Sequence, residues 1–353
     1  MHICNACRYC EGFCAVFPAM ERRFDFADGD LKYLANLCHD CRECYYSCQY
    51  SPPHEFQLNL PKVFAGLRQE TYQDYAWPMF MVDLFKDSGR ALLISAVIIP
   101  VVFVVATLLL LGPAAMLTAY TDAEGSFYRV VSHNMMVWGF GLVSIFVIVA
   151  MGIGWRRFRR DITPEENRRN AGQDWKQALQ DSLQLRYLGG AGKGCAYPDE
   201  QASNLRRRYH HLTFYGFLLC FAATTVAAIY HYMFGWRAPY EFLSTPVLLG
   251  FTGGICLLIG PLGLLHLKLV RDPEPAEPLQ TMMDVSFLVI LFMTSLTGLL
   301  LLFLRETAAM GIILVVHLGL VMGLFLTMPY GKFVHGLYRF GSLMRYAEEG
   351  RES

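Results

Sequence analysis

Apolar residues fall into two regimes along this chain. From Ala91 onward they gather into runs of about 20 residues, the length that crosses roughly 30 Å of hydrocarbon at 1.5 Å per residue. Six runs can be read: Ala91–Leu111, Asn134–Gly154, Leu212–Phe234, Pro246–Leu267, Met283–Leu304 and Met310–Tyr330. A soluble core helix would explain one such run. Six predict a transmembrane bundle, because in lipid a chain that crosses as helix satisfies its own backbone. Residues 1–90 contain no comparable run and predict a separate N-terminal domain. A polar stretch at about 155–209 interrupts the bundle and predicts a helical connector.

Within that connector, Thr163-Pro164-Glu165-Glu166 has an N-cap, a proline at the first helical position and an acidic first turn. A helical pattern then runs toward Tyr187. The next segment, Gly189-Gly190-Ala191-Gly192-Lys193-Gly194-Cys195, resembles a phosphate loop only in composition. It has neither Ser nor Thr after the lysine and no preceding strand, and is expected to be a flexible connector.

The charge total is zero and gives no support for a nucleic-acid partner; its distribution says more. Trp155–Tyr209 holds twelve Lys/Arg, Lys268–Thr281 two, and the tail from Gly331 four, while residues 1–90 hold nine. The three opposite connections carry only Arg129, Arg237 and Arg305. This split predicts both termini on the cytoplasmic face of the cell's inner membrane. Six spans return the C-terminus to the side of the N-terminus. The opening Met1-His2-Ile3-Cys4 has no basic region followed by an apolar stretch, which fits a cytoplasmic N-terminal domain.

Eight of the eleven cysteines lie in two tracts with one spacing. Cys4, Cys7, Cys10 and Cys14 form C-x2-C-x2-C-x3-C, and Cys38, Cys41, Cys44 and Cys48 repeat it. In a reducing compartment such thiols read as metal ligands rather than disulfides. Two-residue gaps let three thiolates converge on one cubane, and the fourth cysteine points away to serve the other cluster. One 4Fe–4S centre is therefore expected on Cys4, Cys7, Cys10 and Cys48, and a second on Cys14, Cys38, Cys41 and Cys44. Structural zinc sites instead present cysteines as separated pairs. Prolines follow at Pro18 and Pro52, displaced from the position directly after the fourth cysteine. Cys220 and Cys256 read as apolar packing residues, and Cys195, without neighbouring thiols, as structural or incidental.

Histidines in hydrocarbon are expensive without a partner. His317 and His335 are 18 residues apart, five full turns, and share a face if the last helix continues past Tyr330. His210 and His211 open the third span and His231 closes it. One or two haem b groups are expected, an inner one between His335 and His210 or His211, and an outer one between His317 and His231. His133 is an alternative to His231. His266 reads as a snorkelling interfacial residue, and His2, His39 and His54 as ordinary domain residues. Trp77, Tyr209, Tyr330 and Tyr338 read as an interfacial aromatic belt.

The tracts Cys4-Asn5-Ala6-Cys7-Arg8-Tyr9-Cys10-Glu11-Gly12-Phe13-Cys14 and Cys38-His39-Asp40-Cys41-Arg42-Glu43-Cys44 resemble the tricarballylate or citrate utilization protein B family. So do Tyr209-His210-His211-Leu212-Thr213-Phe214-Tyr215-Gly216 and Pro329-Tyr330-Gly331-Lys332-Phe333-Val334-His335-Gly336-Leu337-Tyr338. The resemblance implies a membrane electron-transfer protein. It would reoxidise an FAD-dependent tricarballylate dehydrogenase and pass electrons through two 4Fe–4S clusters and haem b to the quinone pool. The last span is also similar to the haem-bearing helix of the respiratory nitrate reductase gamma subunit, which implies His317 and His335 on two different haems. On the other helix the interval from His210/His211 to His231 is much longer than in that subunit.

The expected architecture is mainly α: a two-cluster ferredoxin-like domain over residues 1–90, then a six-helix haem-binding membrane domain over 91–353. Alternatives are an iron–sulfur and haem subunit of a heterodisulfide- or nitrate-reductase-like complex, a membrane redox sensor, and a six-helix transporter with a metal-bound regulatory domain.

Overall fold

A computed structural model describes residues 1–120, 125–163, 174–190 and 194–352. Pro164–Glu166 of the expected helix start and Ala191–Lys193 of the glycine-rich connector lie outside the described residues.

The N-terminal region folds as short helices: α1 (His2–Cys7), α2 (Val16–Glu21), α3 (Asp28–Leu37), α4 (Glu43–Tyr46), α5 (Leu60–Asp74) and α6 (Met79–Val82). Six long helices are apolar enough to cross a membrane: α7 (Ser88–Leu117), α9 (His133–Ile162), α11 (Leu205–Phe234), α12 (Thr245–Val270), α13 (Pro278–Leu304) and α14 (Met310–Thr327). Helices α8 (Ser126–Val130) and α10 (Trp175–Gln184) occupy connections, and α15 (His335–Glu352) ends the chain. Strands β1 (Cys195–Ala196) and β2 (Ala202–Ser203) pair antiparallel, Cys195 opposite Ser203. The fold is mainly α, as the apolar pattern predicts.

Local chemistry starts these helices. The Asp87 carboxylate accepts the Arg90 backbone N–H at 3.1 Å at the head of α7, and Ser132 Oγ accepts that of Met135 at 3.3 Å at the head of α9. Glu277 does the same for Gln280 at 2.6 Å before α13, whose first residue is Pro278. Outward faces of α7 and α9 carry exposed Val97, Val101, Leu109, Ile145 and Ile148, an apolar surface suited to lipid.

The observed helices outrun the apolar runs. Helix α9 continues eight residues past Gly154 to Ile162, and α11 begins seven residues before Leu212. Arginines end the hydrocarbon run without ending the backbone hydrogen bonding. Helix α7 extends to Leu117 by way of a break at Gly112, where φ is +75°.

The last span does not continue past Tyr330. Helix α14 stops at Thr327, whose carbonyl accepts the N–H groups of both Tyr330 and Gly331, and a 3-10 turn at Lys332–Val334 leads into α15. Pro329 supplies no N–H to prolong the helix. His317 and His335 thus sit on two helices, and the single-face alignment does not form.

Small residues set the bundle's spacing. Gly216 on α11 and Gly253 on α12 let backbones touch: a Cβ on Gly253 would stand 2.8 Å from the Gly216 carbonyl oxygen.

The N-terminal helices share one core with the ends of the membrane helices. Phe17, Tyr33, Leu34, Tyr72 and Tyr75 pack with Phe158, Ile162, Val334, Tyr338 and Leu343. A buried ion network reinforces it. Arg345 meets Asp30 at 2.6 Å and Glu349 at 2.9 Å, and Arg23 meets Asp30 at 2.8 Å and also Glu349. Helices α3 and α15 therefore lie at one end of the bundle, as an even number of spans requires.

Candidate metal centres

Chain crossing brings the two cysteine tracts together as two adjoining cavities. One is lined by Cys4, Cys7, Cys10, Cys44 and Cys48; the other by Cys14, Cys38, Cys41 and Cys44. Each draws on both tracts: Cys44 and Cys48 join Cys4, Cys7 and Cys10 in the first, and Cys14 joins Cys38, Cys41 and Cys44 in the second. Phe17, Cys44 and Leu60 line both cavities and form their common wall.

The loops that aim these thiols use costly backbone. Arg8, Asp40 and Arg42 all have φ between 54° and 65°. A non-glycine residue there costs roughly 1–2 kcal/mol, and such outliers concentrate at functional sites. The bends turn successive cysteines to one side, and backbone N–H groups then point at sulfur. Asp40 N–H donates to Cys38 Sγ at 3.3 Å and Tyr50 N–H to Cys48 Sγ at 3.4 Å.

Burial comes first, and the neighbouring thiols next, in pushing Cys10 up to about 12; burial and Cys38 push Cys14 up to about 12. Burial likewise holds Cys44 well above the usual thiol range. Four thiolates share such a space only around a cationic guest. Among the described residues no three Cys, His, Asp or Glu side chains converge closely enough to hold a single ion. Zinc needs its sulfurs about 2.3 Å from one point. The thiols that line each cavity fit the donor set of an iron–sulfur group, whose thiolates stand farther apart.

The second cavity is the one buried against the membrane domain. Arg339 of α15 donates to the Cys38 carbonyl at 2.7 Å, Arg68 of α5 to the Ala35 carbonyl at 3.1 Å, and Arg206 of α11 to the Asp40 carbonyl at 2.5 Å. Arg42 donates to the Asp272 carbonyl at 2.8 Å in the α12–α13 link. Arg68 also donates to Gln280 Oε1 of α13 at 3.1 Å.

One expectation needs correction here. Cys195 is not isolated: it is fully buried beside Cys41, among Leu185, Leu188 and Tyr197, and its thiol donates to the Leu188 carbonyl at 2.7 Å. The β1–β2 turn, not local sequence, carries it there. His39, expected as an ordinary domain residue, lies in that domain's interior. It is buried in the wall of the second cavity, with Nδ1 2.9 Å from the Leu37 carbonyl, and burial followed by Arg339 holds its imidazole well below the usual range.

The structure brings His210 and His335 together, with ring centres 6.2 Å apart and planes at 73°. That separation leaves room for one metal ion between the rings, so His210 and His335 are the pair that would hold a haem iron. His335 Nδ1 lies 2.6 Å from the Lys332 carbonyl, so that nitrogen carries the proton and Nε2 is left as the donor to a metal. Burial first, then Lys332 and Arg339, hold His335 well below the usual range, in the neutral ligating form. His211 points instead toward Tyr215, with ring centres 5.8 Å apart.

At the other end of the bundle His133 and His231 stack face to face at 3.8 Å, too close for an iron between them, and His133 Nε2 lies 3.3 Å from the Tyr232 hydroxyl. His317 meets α13: its Nδ1 is 3.0 Å from Thr297 Oγ1 and its ring lies over Gly298. His266 is exposed at the end of α12. Tyr338 is 2% exposed in the shared core and does not belong to an interfacial belt. Tyr330 stacks on Phe85 at 4.7 Å and donates to the Trp77 carbonyl at 2.9 Å.

Comparison with known proteins covers both regions. Residues 1–74 match the Citrate utilization protein B Fer4-like domain and residues 87–353 match Citrate utilization protein B. Citrate utilization protein B of Escherichia coli is 48% identical over 352 residues, covering 99% of this chain and 91% of the relative. No solved structure matches the chain. A Fer4-like domain seated on six apolar helices, with likeness running through both, places this protein in the citrate utilization protein B family.

Proposed function

We propose that the chain is the membrane arm of a dehydrogenase system, taking electrons from a reduced flavoprotein and delivering them to quinone. The observation that carries this reading is the pair of cysteine-lined cavities with a common wall, the inner of which abuts the helices bearing His210 and His335. Two 4Fe–4S clusters and haem b supply one-electron carriers between a two-electron flavin and a two-electron quinone.

This chain's residues do the rest. Cys4, Cys7, Cys10 and Cys48 hold the outer cluster, and Cys14, Cys38, Cys41 and Cys44 the inner one. Backbone N–H groups of Asp40 and Tyr50 steady the sulfurs. His210 and His335 hold the inner haem, with the Lys332 carbonyl fixing the tautomer of His335. His317 offers a ligand to a second haem, with Thr297 in the corresponding supporting role. Flavin electrons enter from the exposed side of the outer cavity, where Tyr9 and Phe56 stand in solvent. The family resemblance supports an FAD-dependent tricarballylate dehydrogenase as that partner. The 27 to 3 division of Lys and Arg across the bundle supports the inner membrane, with both termini and the cluster domain in the cytoplasm.

Anaerobically purified protein should contain about eight iron and eight acid-labile sulfide per chain, with b-type haem. In membranes supplied with the flavoprotein and tricarballylate, quinone reduction should need both proteins. Zinc in place of iron and sulfide, or loaded cofactors without quinone reduction, would refute the conduit.

A further inference from the structure

We propose that Arg42, Arg68, Arg206 and Arg339 form a guanidinium cradle that gives the inner cluster a higher reduction potential than the outer one, so that electrons run toward the membrane. The inference rests on the two-cluster reading above.

The two cavities differ in charge. Among the lining residues of the outer cavity none is charged, and the Glu43 carboxylate acts on Cys10 there. The inner cavity is lined by Arg42 and Asp40, with three further guanidiniums behind its loop. Arg68, Arg206 and Arg339 are anchored on backbone carbonyls of residues 35 to 40, so their positive ends cannot swing away. Four guanidiniums thus face a single lining carboxylate.

Arg42 supplies a second, independent observation. It is 1% exposed, its Nη1 is engaged by Asp272, and its Nε and Nη2 have no partner. Buried N–H donors left open cost about 1–3 kcal/mol. In a cavity walled by thiols, these two are placed to donate to cluster sulfur. Tyr197 lies between Arg42 and Arg206, its ring centre 4.9 and 4.7 Å from the two guanidinium carbons, and keeps both side chains extended toward the loop.

Reduction adds one electron, and so one negative charge, to a 4Fe–4S centre, with no bond made or broken. Nearby cations and N–H···S donors stabilise that added charge and raise the potential. Each cavity has a backbone N–H···S donor, Asp40 to Cys38 in the inner and Tyr50 to Cys48 in the outer, so the anchored guanidiniums make the difference between them. The electron therefore moves from the Cys4/Cys7/Cys10/Cys48 side to the Cys14/Cys38/Cys41/Cys44 side, and on to the helices that carry His210 and His335.

Potentiometric EPR of the purified full chain tests this. The wild-type protein should show two separated cluster midpoints. Arg206→Gln and Arg339→Gln should each shift the higher midpoint to more negative potential and leave the lower one in place, while Arg339→Lys should restore most of the shift. Iron and sulfide near eight per chain in each variant separate loss of poise from loss of assembly; a wild-type chain without two clusters sinks the underlying reading instead. Coincident wild-type midpoints, or Gln variants that move only the lower midpoint or neither, overturn the cradle. If a Gln variant loses iron, the wild-type separation and the Lys variant still decide.

Discussion

The imidazoles of His210 on α11 and His335 on α15 stand edge to plane with centres 6.2 Å apart, although 125 positions separate them in sequence. Under the proposed function these two residues would hold the inner haem. His335→Ala and His210→Ala should each abolish the same b-type band in reduced-minus-oxidised spectra while iron and sulfide stay near the wild-type level. His211→Ala, whose ring faces Tyr215, should keep the band. A band that survives His335→Ala removes that residue as a ligand.

The crossed arrangement of the cysteines makes an unequal pair of substitutions informative. Cys14→Ser and Cys38→Ser come from different tracts yet line one cavity, so each should remove the same EPR signal and about half the iron. Cys48→Ser should remove the other signal. A pattern that follows the tracts, with Cys14 grouped with Cys4, would refute the crossing.

Thr297 and Gly298 hold His317 from below. Thr297→Val removes the 3.0 Å partner of Nδ1, and a Cβ on residue 298 would already stand 3.1 Å from the His317 ring. Both Thr297→Val and Gly298→Leu should perturb a haem signal distinct from the one lost in His335→Ala, and Thr297→Ser should behave as wild type. The check is the low-temperature spectrum of each variant.

Arg345 joins Asp30 of α3 to Glu349 on its own helix. Arg345→Ala leaves two nearly buried carboxylates short of a cation, a loss of about 3 kcal/mol, visible as a melting point several degrees lower. Burial by itself would raise Asp30, but Arg23 and Arg345 outweigh it and hold its carboxyl below the ordinary 3.8. A lowered carboxyl contributes stability that is fully present above the ordinary value and is lost as pH falls through the lowered one. The melting gap between wild type and Arg345→Ala should therefore be constant from pH 7 to pH 5 and shrink below about pH 4. A gap that widens on acidification would refute the assignment.

Helix number, fold class and the cysteine tracts were legible in the sequence because each rests on local spacing: a 20-residue apolar run or a two-residue gap between thiols. What was not legible depends on chain segments meeting at a distance. Cys195 reaches Cys41 by way of a two-residue β pairing that no periodicity announces. His39 looked ordinary because the residues around it, Tyr187 by ring contact and Arg206 and Arg339 by charge, are distant in sequence. The arginine cradle was hidden for the same reason, although Arg339 falls one turn after His335 on the same helix face, a spacing that could have drawn attention to it. The alignment of His317 with His335 failed at Pro329, where ideal geometry was extended through a residue that cannot donate to the helix.

The common core of Phe17, Tyr33 and Tyr75 with Phe158, Tyr338 and Leu343 has a kinetic corollary. Through that core the thiol-bearing helices pack directly on the ends of the long apolar helices, so the gaps an electron would tunnel in the proposed relay are set once, at folding. Its internal steps would then be insensitive to solvent viscosity, which would slow only the arrival and departure of partners, unlike relays in which a swinging head ferries charge between docking stations.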